Sequence, residues 1–128
     1  MAETGEWYPF FLVDRVTLDA NGAGVATLSI GQSEEFQGDE IDFLVSSGSF
    51  RITQINDSGG KGYTNAATAD PLPSELFLTA LDQRTNFHKF SVPLVIEKSG
   101  ALNITFASGT ASATIDVCIK GKRRTNID

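Results

Sequence analysis

The chain has one histidine and one cysteine among its 128 residues, so His88 and Cys118 are the first places to look for nucleophilic or metal chemistry. His88 lies between Phe87 and Lys89, with no nucleophile or metal ligand near it in sequence. Hydrolytic triads are assembled from distant residues, which leaves a remote Ser and Asp open as partners. No G-x-S-x-G elbow and no H-E-x-x-H helix is present, however, and His88 reads as a structural or surface residue. Cys118 has no Cys or His at ligand spacing and sits in an alternating apolar run, as a small packed side chain does. Five carboxylates, Glu34, Glu35, Asp39, Glu40 and Asp42, fall within nine residues. Oxygen ligands suit calcium, but the spacing departs from D-x-[DN]-x-[DN]-G. Adjacent pairs such as Glu34/Glu35 would point to opposite faces of a strand, so they form no glycosidase dyad. The segment 34–42 reads as a solvated acidic loop. Gly59, Gly60 and Gly62 around Lys61 lack the strand–G-x-x-x-x-G-K-[ST]–helix context of a phosphate loop, and a long surface loop with turn-forming glycines accounts for them. The expectation is no enzyme, no cofactor and no bound metal.

Residues suited to binding are better represented. Trp7, Tyr8 and Phe10 cluster around Pro9 near the N-terminus, and Tyr63 follows the glycine-rich stretch. Such rings dominate interface energetics. The net charge of −6 is unevenly spread: residues 1–119 carry 15 acidic and 6 basic side chains, whereas 120–128 carry Lys120, Lys122, Arg123 and Arg124 against Asp128. A body of net −9 repels a phosphate backbone over most of its surface, which argues against nucleic acid as a partner. The basic run 120–124 is the one concentrated positive feature, a place for salt-sensitive contact with an acidic neighbour. A sugar-binding alternative would use Trp7, Tyr8 and Tyr63 as a stacking platform. Only one Trp is present, and several of the Phe residues fall on inward faces.

The elements that must position these residues are strands. Leu102, Ile104 and Phe106 alternate with Asn103 and Thr105; Ile115, Val117 and Ile119 alternate with Asp116, Cys118 and Lys120. Side chains alternate faces along a strand, so each run has one buried face. With Ser91–Ile96, broken by Pro93, and turns at Ser99-Gly100 and Ser108-Gly109-Thr110, the last third reads as a β-meander. Residues 10–18 and 25–30 read as strands joined by Asn21-Gly22, the strongest short hairpin signal. Residues 41–45 and 49–55 give two more around Ser46-Ser47-Gly48. Residues 56–70 form a long loop, and 76–81 reads as a strand by its length. About eight short strands at turn-punctuated spacing predict an all-β, single-domain antiparallel β-sandwich over 1–128. It would carry an aromatic arm at 1–9 and a basic tail at 120–128, its strand order jelly-roll or immunoglobulin-like. No apolar run reaches the ~20 residues that span a bilayer, and the acidic residues before the first apolar run do not resemble a secretory signal. The single Cys118 permits no internal disulfide and suits a reducing compartment.

Taken together, the layout resembles the small β-sandwich decoration or cement proteins of tailed bacteriophages. The resemblance is carried by Trp7-Tyr8-Pro9-Phe10-Phe11-Leu12, by 18–22 and 48–52, by Asp57-Ser58-Gly59-Gly60 with Tyr63-Thr64-Asn65, and by the closing stretch from Leu102 to Arg123. It implies a virion protein on a capsid surface, made in the host cytoplasm and doing no chemistry. The implied partners are the major capsid protein and further copies of the chain, as a trimer or dimer. A head-fibre or tail component would share these features.

Overall fold

The computed structural model describes residues 5–46, 48–63, 72–73 and 85–125. Among the described residues, eight strands follow one another: β1 (Tyr8–Thr17), β2 (Gly24–Ser29), β3 (Glu35–Val45), β4 (Arg51–Asp57), β5 (Leu72–Pro73), β6 (Thr85–Ile96), β7 (Ala101–Phe106) and β8 (Thr114–Arg124). They form two four-stranded sheets, β1-β8-β3-β6 and β2-β7-β4-β5, in which every paired strand is antiparallel. The chain is thus an all-β sandwich. The strand order decides between the two predicted topologies. β1 pairs with β8, β2 with β7, β3 with β6 and β4 with β5, the nested pairing of one long hairpin rolled into two layers. That is the jelly roll.

Two expectations fail at this level. The last three strands are not a meander: β6 and β8 lie in one sheet, β7 lies in the other, and none pairs with another of the three. The Asn21-Gly22 turn joins no paired hairpin either, since β1 and β2 belong to different sheets. Both misreadings have one cause. Alternation fixes which face of a strand is buried but not which strand lies beside it. A short connector can cross the ~10 Å between layers as easily as it can reverse within one. At the first corner Asp19 Oδ1 accepts from the backbone N–H groups of Asn21 and Ala23 at 2.8 and 3.0 Å. Gly22 then takes φ 74°, where its missing Cβ lets the carbonyl of Gly109 from the β7–β8 connector approach. These hydrogen bonds hold the Asp19 carboxyl below its ordinary range.

The faces are read correctly in the strands that alternate cleanly. Leu102, Ile104 and Phe106 from one sheet meet Ile115, Val117 and Ile119 from the other, all buried. Phe43, Phe50 and Phe106 form the centre. Their ring centroids lie 4.9 Å apart for Phe43–Phe50, 5.6 Å for Phe50–Phe106 and 6.4 Å for Phe43–Phe106, the last two edge-to-face, a favoured aromatic geometry. At Thr53 the β4–β7 register slips between Ile52 and Gln54, a bulge that turns two successive residues, Ile52 and Thr53, inward. The residues 64–70 of the expected long loop, and the expected strand at 76–81, lie outside the described residues.

The acidic segment and the basic run are both reassigned. Glu35, Asp39, Glu40 and Asp42 belong to β3, not to a loop, and Lys120–Arg124 forms the end of β8, not a tail. The expected arm likewise stops early, with Tyr8 and Pro9 already in β1. β3 and β8 are direct neighbours, so cross-strand charge pairing makes these polar stretches sheet. A bulge at Asp39 interrupts their register. Beside it, Gly38 and Gly121 face each other so closely that a Cβ at Gly121 would overlap the Gln37 carbonyl.

Candidate functional site

In a jelly roll the connectors fall at two ends. Here the start of β1 and the end of β8 share one end with the β2–β3 and β6–β7 connectors, as the registers Tyr8↔Arg123, Glu35↔Arg124, Phe36↔Ile96 and Ser29↔Ala101 require. Six of the residues expected to bind a partner meet at this end. Alternation sorts them into two sets.

On the outer side of the sheet stand Trp7, Lys122 and Arg124. The Trp7 ring takes Lys122 Nζ at 5.2 Å and the Arg124 guanidinium carbon at 4.9 Å from its centroid, both within cation–π range. Arg124 Nη2 lies 2.7 Å and Nε 2.8 Å from Glu35 Oε1. On the alternate side, the Arg123 guanidinium stacks 3.8 Å from the Phe10 centroid and 5.3 Å from that of Tyr8. Its Nε donates to the Tyr8 hydroxyl at 2.7 Å, and its Nη1 to Glu34 Oε2 at 2.8 Å. Glu34 is itself fixed, accepting from the Gly31 N–H through Oε1 at 2.6 Å. Phe10 in turn packs edge-on against the buried Phe36, centroids 6.2 Å apart. A continuous run of contacts therefore ties the β2–β3 turn, through Arg123, to the core.

This changes the role of the basic run. Arg123 and Arg124 are partnered within the chain by Glu34 and Glu35, and Lys120 by Asp42 at 2.7 Å and Glu40 at 3.5 Å. Of the four basic side chains only Lys122 has no carboxylate partner among the described residues, and it is exposed. What the end presents is less a positive patch than an aromatic pair, Trp7 and Tyr8, held in place by cations. The partners Glu34 and Glu35 were missed as site residues because they lie 89 positions from Arg123 and Arg124. The available signal was charge complementarity between two polar stretches.

Lys120 sits apart from this group, on the outer sheet face with Glu40, Asp42 and Cys118. Its hydrogen bond to Asp42 raises its pKa. A hydrogen bond to Asp42, with burial next, raises that of the Glu40 carboxyl. Burial, then Asp42, raises that of the Cys118 thiol, the opposite of what a reactive cysteine needs. Among the described residues, no three His, Cys, Asp or Glu side chains converge as metal ligands, and no helix is long and apolar enough to cross a membrane. The side chain of His88 lies outside the described residues.

Tyr63 stands at the same end but on the other sheet. Asp57 closes a turn there, accepting from the Lys61 N–H through Oδ1 at 2.8 Å and from the Tyr63 hydroxyl through Oδ2 at 3.1 Å. The hydrogen bond from the Lys61 N–H is the main cause holding Asp57 below the usual carboxylate range. Burial, with the hydrogen bond to Asp57, pushes the Tyr63 phenol up to about 12. Beside this turn a cleft of about 250 Å³ runs between Asp57–Lys61 and Val95–Ala101. An alkaline titration followed by phenolate absorbance should show one of the two tyrosines ionising near pH 12, and Asp57→Asn should move it down. The folded pKa exceeds the unfolded value of about 10. The stability linked to the neutral phenol is therefore complete below pH ~10 and lost as the pH rises through about 12. A Tyr63 phenol ionising near 10 would contradict this geometry.

Compared with known proteins, the chain matches no family model and no curated protein. The class that the described strands define is the jelly-roll sandwich.

Proposed function

We propose that the protein is a non-enzymatic virion structural protein that decorates or cements a bacteriophage capsid, contacting the major capsid protein through the Trp7–Tyr8 end and associating with its own copies. The observation that carries this reading is how that end is built. Trp7 and Tyr8 are preorganised by Lys122, Arg123 and Arg124, and neither ring lines the nearby cleft. Rigid aromatic anchors outside a cavity suit a macromolecular surface, because little side-chain entropy is left to lose on docking. The jelly roll is one of the folds from which viral capsid domains are made, which supports the reading by analogy of fold.

The test is co-sedimentation of the purified chain with capsids lacking it. Trp7→Ala combined with Lys122→Glu leaves the Arg123–Glu34 and Arg124–Glu35 pairs in place. It should weaken attachment by about tenfold or more if Trp7 is a hot spot. Undiminished attachment would reject this contact surface, and absence of attachment by the unaltered chain would reject decoration.

One observation favours a second reading, a carbohydrate- or receptor-binding module: the Tyr63 ring is pinned beside a cleft lined by Asp57, Ser58, Lys61, Glu97 and Lys98. Under it, a glycan array gives a hit that Tyr63→Ala removes.

A further inference from the structure

Among the described residues the two sheets have four edge strands, β1, β6, β2 and β5, and three of them carry a feature that obstructs further pairing. The described part of β5, Leu72–Pro73, ends on a proline that offers no N–H. Along β6 the register with β3 breaks: β3 advances from Gly38 to Glu40 while its partner moves from Leu94 to Lys89. Ser91, Val92 and Pro93 between them are exposed, Val92 at 75%, and Pro93 has no N–H to give. On β2 the Thr27 N–H is already taken by Asp14 Oδ2 at 2.8 Å. Bulges, prolines, short strands and side-chain caps are the devices by which sheet edges are kept from pairing with other chains.

β1 differs. It pairs with β8 in unbroken register over all ten residues, Tyr8↔Arg123 to Thr17↔Thr114. No described strand pairs with its other edge. Its only proline is Pro9, at the second position, and two of its outward side chains are apolar: Phe11, 61% exposed, and Val13, 65% exposed. A long, regular edge strand of this kind is a template for another strand.

We propose that β1 is the self-association edge of the protein. Two copies pair antiparallel through β1 about a two-fold axis at Leu12, placing Phe11 of each opposite Val13 of the other and fusing two four-stranded sheets into one of eight strands. Charge argues for a second copy as the occupant. The whole chain carries −6, so two copies repel least where the segments that meet carry no charge. The cations beside β1 are already paired within the chain, Arg15 2.6 Å from Asp116 and Lys120 with Asp42 and Glu40, and the Asp14 carboxylate is turned to the Thr27 N–H. Phe10–Val13 is itself uncharged, so a charged foreign strand finds no counterpart there. The two-fold matches aromatic to β-branched residue across the strands, a favourable cross-strand pair, and it closes at two copies without propagating into a fibre. Self-association is shared with the capsid reading, but the edge pairing is tested with no capsid present, so either can fail while the other stands.

The experiment is sedimentation equilibrium of the purified chain at micromolar concentration, with hydrogen exchange of the β1 amides. The unaltered chain should be a dimer with protected β1 amides. Phe11→Lys and Val13→Lys, each at an exposed position, should weaken the dimer by at least about tenfold at unchanged circular dichroism, following the use of edge lysines against pairing. They should also speed β1 exchange by a similar factor. Val92→Lys, on the bulged β6 edge, should leave the dimer intact. A monomer or trimer for the unaltered chain would overturn the proposal. So would a dimer that survives both β1 substitutions or is lost on Val92→Lys.

Discussion

Phe106→Ala should lower the free energy of unfolding by about 3–5 kcal/mol, the range for emptying a buried aromatic site. Phe106 is 1% exposed, on β7 of one sheet, and touches both Phe43 on β3 of the other and Phe50 at the entry to β4. Its removal would open a hole between the layers, where neither sheet can collapse without breaking its own ladder. Phe50 would lose one edge-to-face partner and Phe43 another. Urea denaturation checks this: the midpoint should fall while the slope stays constant, since the surface exposed on unfolding barely changes. A loss below ~1 kcal/mol would mean that the aromatic centre is not the keystone the packing makes it.

The second large effect is expected at a residue with no side chain at all. Gly121→Ala places a methyl group against the Gln37 carbonyl and the Gly38 Cα of β3. Backbone atoms of a paired strand cannot swing aside as a side chain can. The two strands must part locally, at a cost of about 1–3 kcal/mol for overpacking. The damage also reaches the candidate site, because Lys122, Arg123 and Arg124 follow directly and their pairing with Gln37, Phe36 and Glu35 lies beyond the strained point. The single Trp reports it. Trp7 fluorescence should change as Lys122 and Arg124 lose their places beside the ring, while Gly59→Ala, which meets only an ordinary contact with Asp57, should leave stability within about 0.5 kcal/mol. A fully stable Gly121→Ala protein would show that β3 and β8 are not locked together at the bulge.

The fold class was legible because the buried face of each strand is written locally. Leu102-Asn103-Ile104-Thr105-Phe106 needs no knowledge of its neighbours to be assigned an inside and an outside. The neighbours themselves were not legible. β7 lies between β2 and β4, far away in sequence, and nothing in its own residues distinguishes them from β6 or β8. The same distinction explains the site. Trp7, Tyr8, Phe10 and the basic run were identifiable by type, and the strands bring the three rings together with Lys122, Arg123 and Arg124, though not with Lys120. That the arginines are spent on Glu34 and Glu35 was hidden, because a polar strand whose charges are answered by a remote strand looks, by itself, like a solvated loop. Tyr63 was identifiable by type, and its ring is exposed; that Asp57 holds it in place was hidden.

The nested strand pairing also constrains the order in which the chain can assemble. Arg15 and Asp116, partners across β1 and β8, are separated by 101 positions. Closing so long a loop first would cost conformational entropy before much is gained. If β4 and β5 meet first, β3 and β6 need close only the segments flanking them, then β2 and β7, and β1 and β8 last. Each step shortens the next. The Trp7–Arg124 contact belongs to that final step, so the growth of Trp7 fluorescence during refolding times the completion of the sandwich, not its initiation.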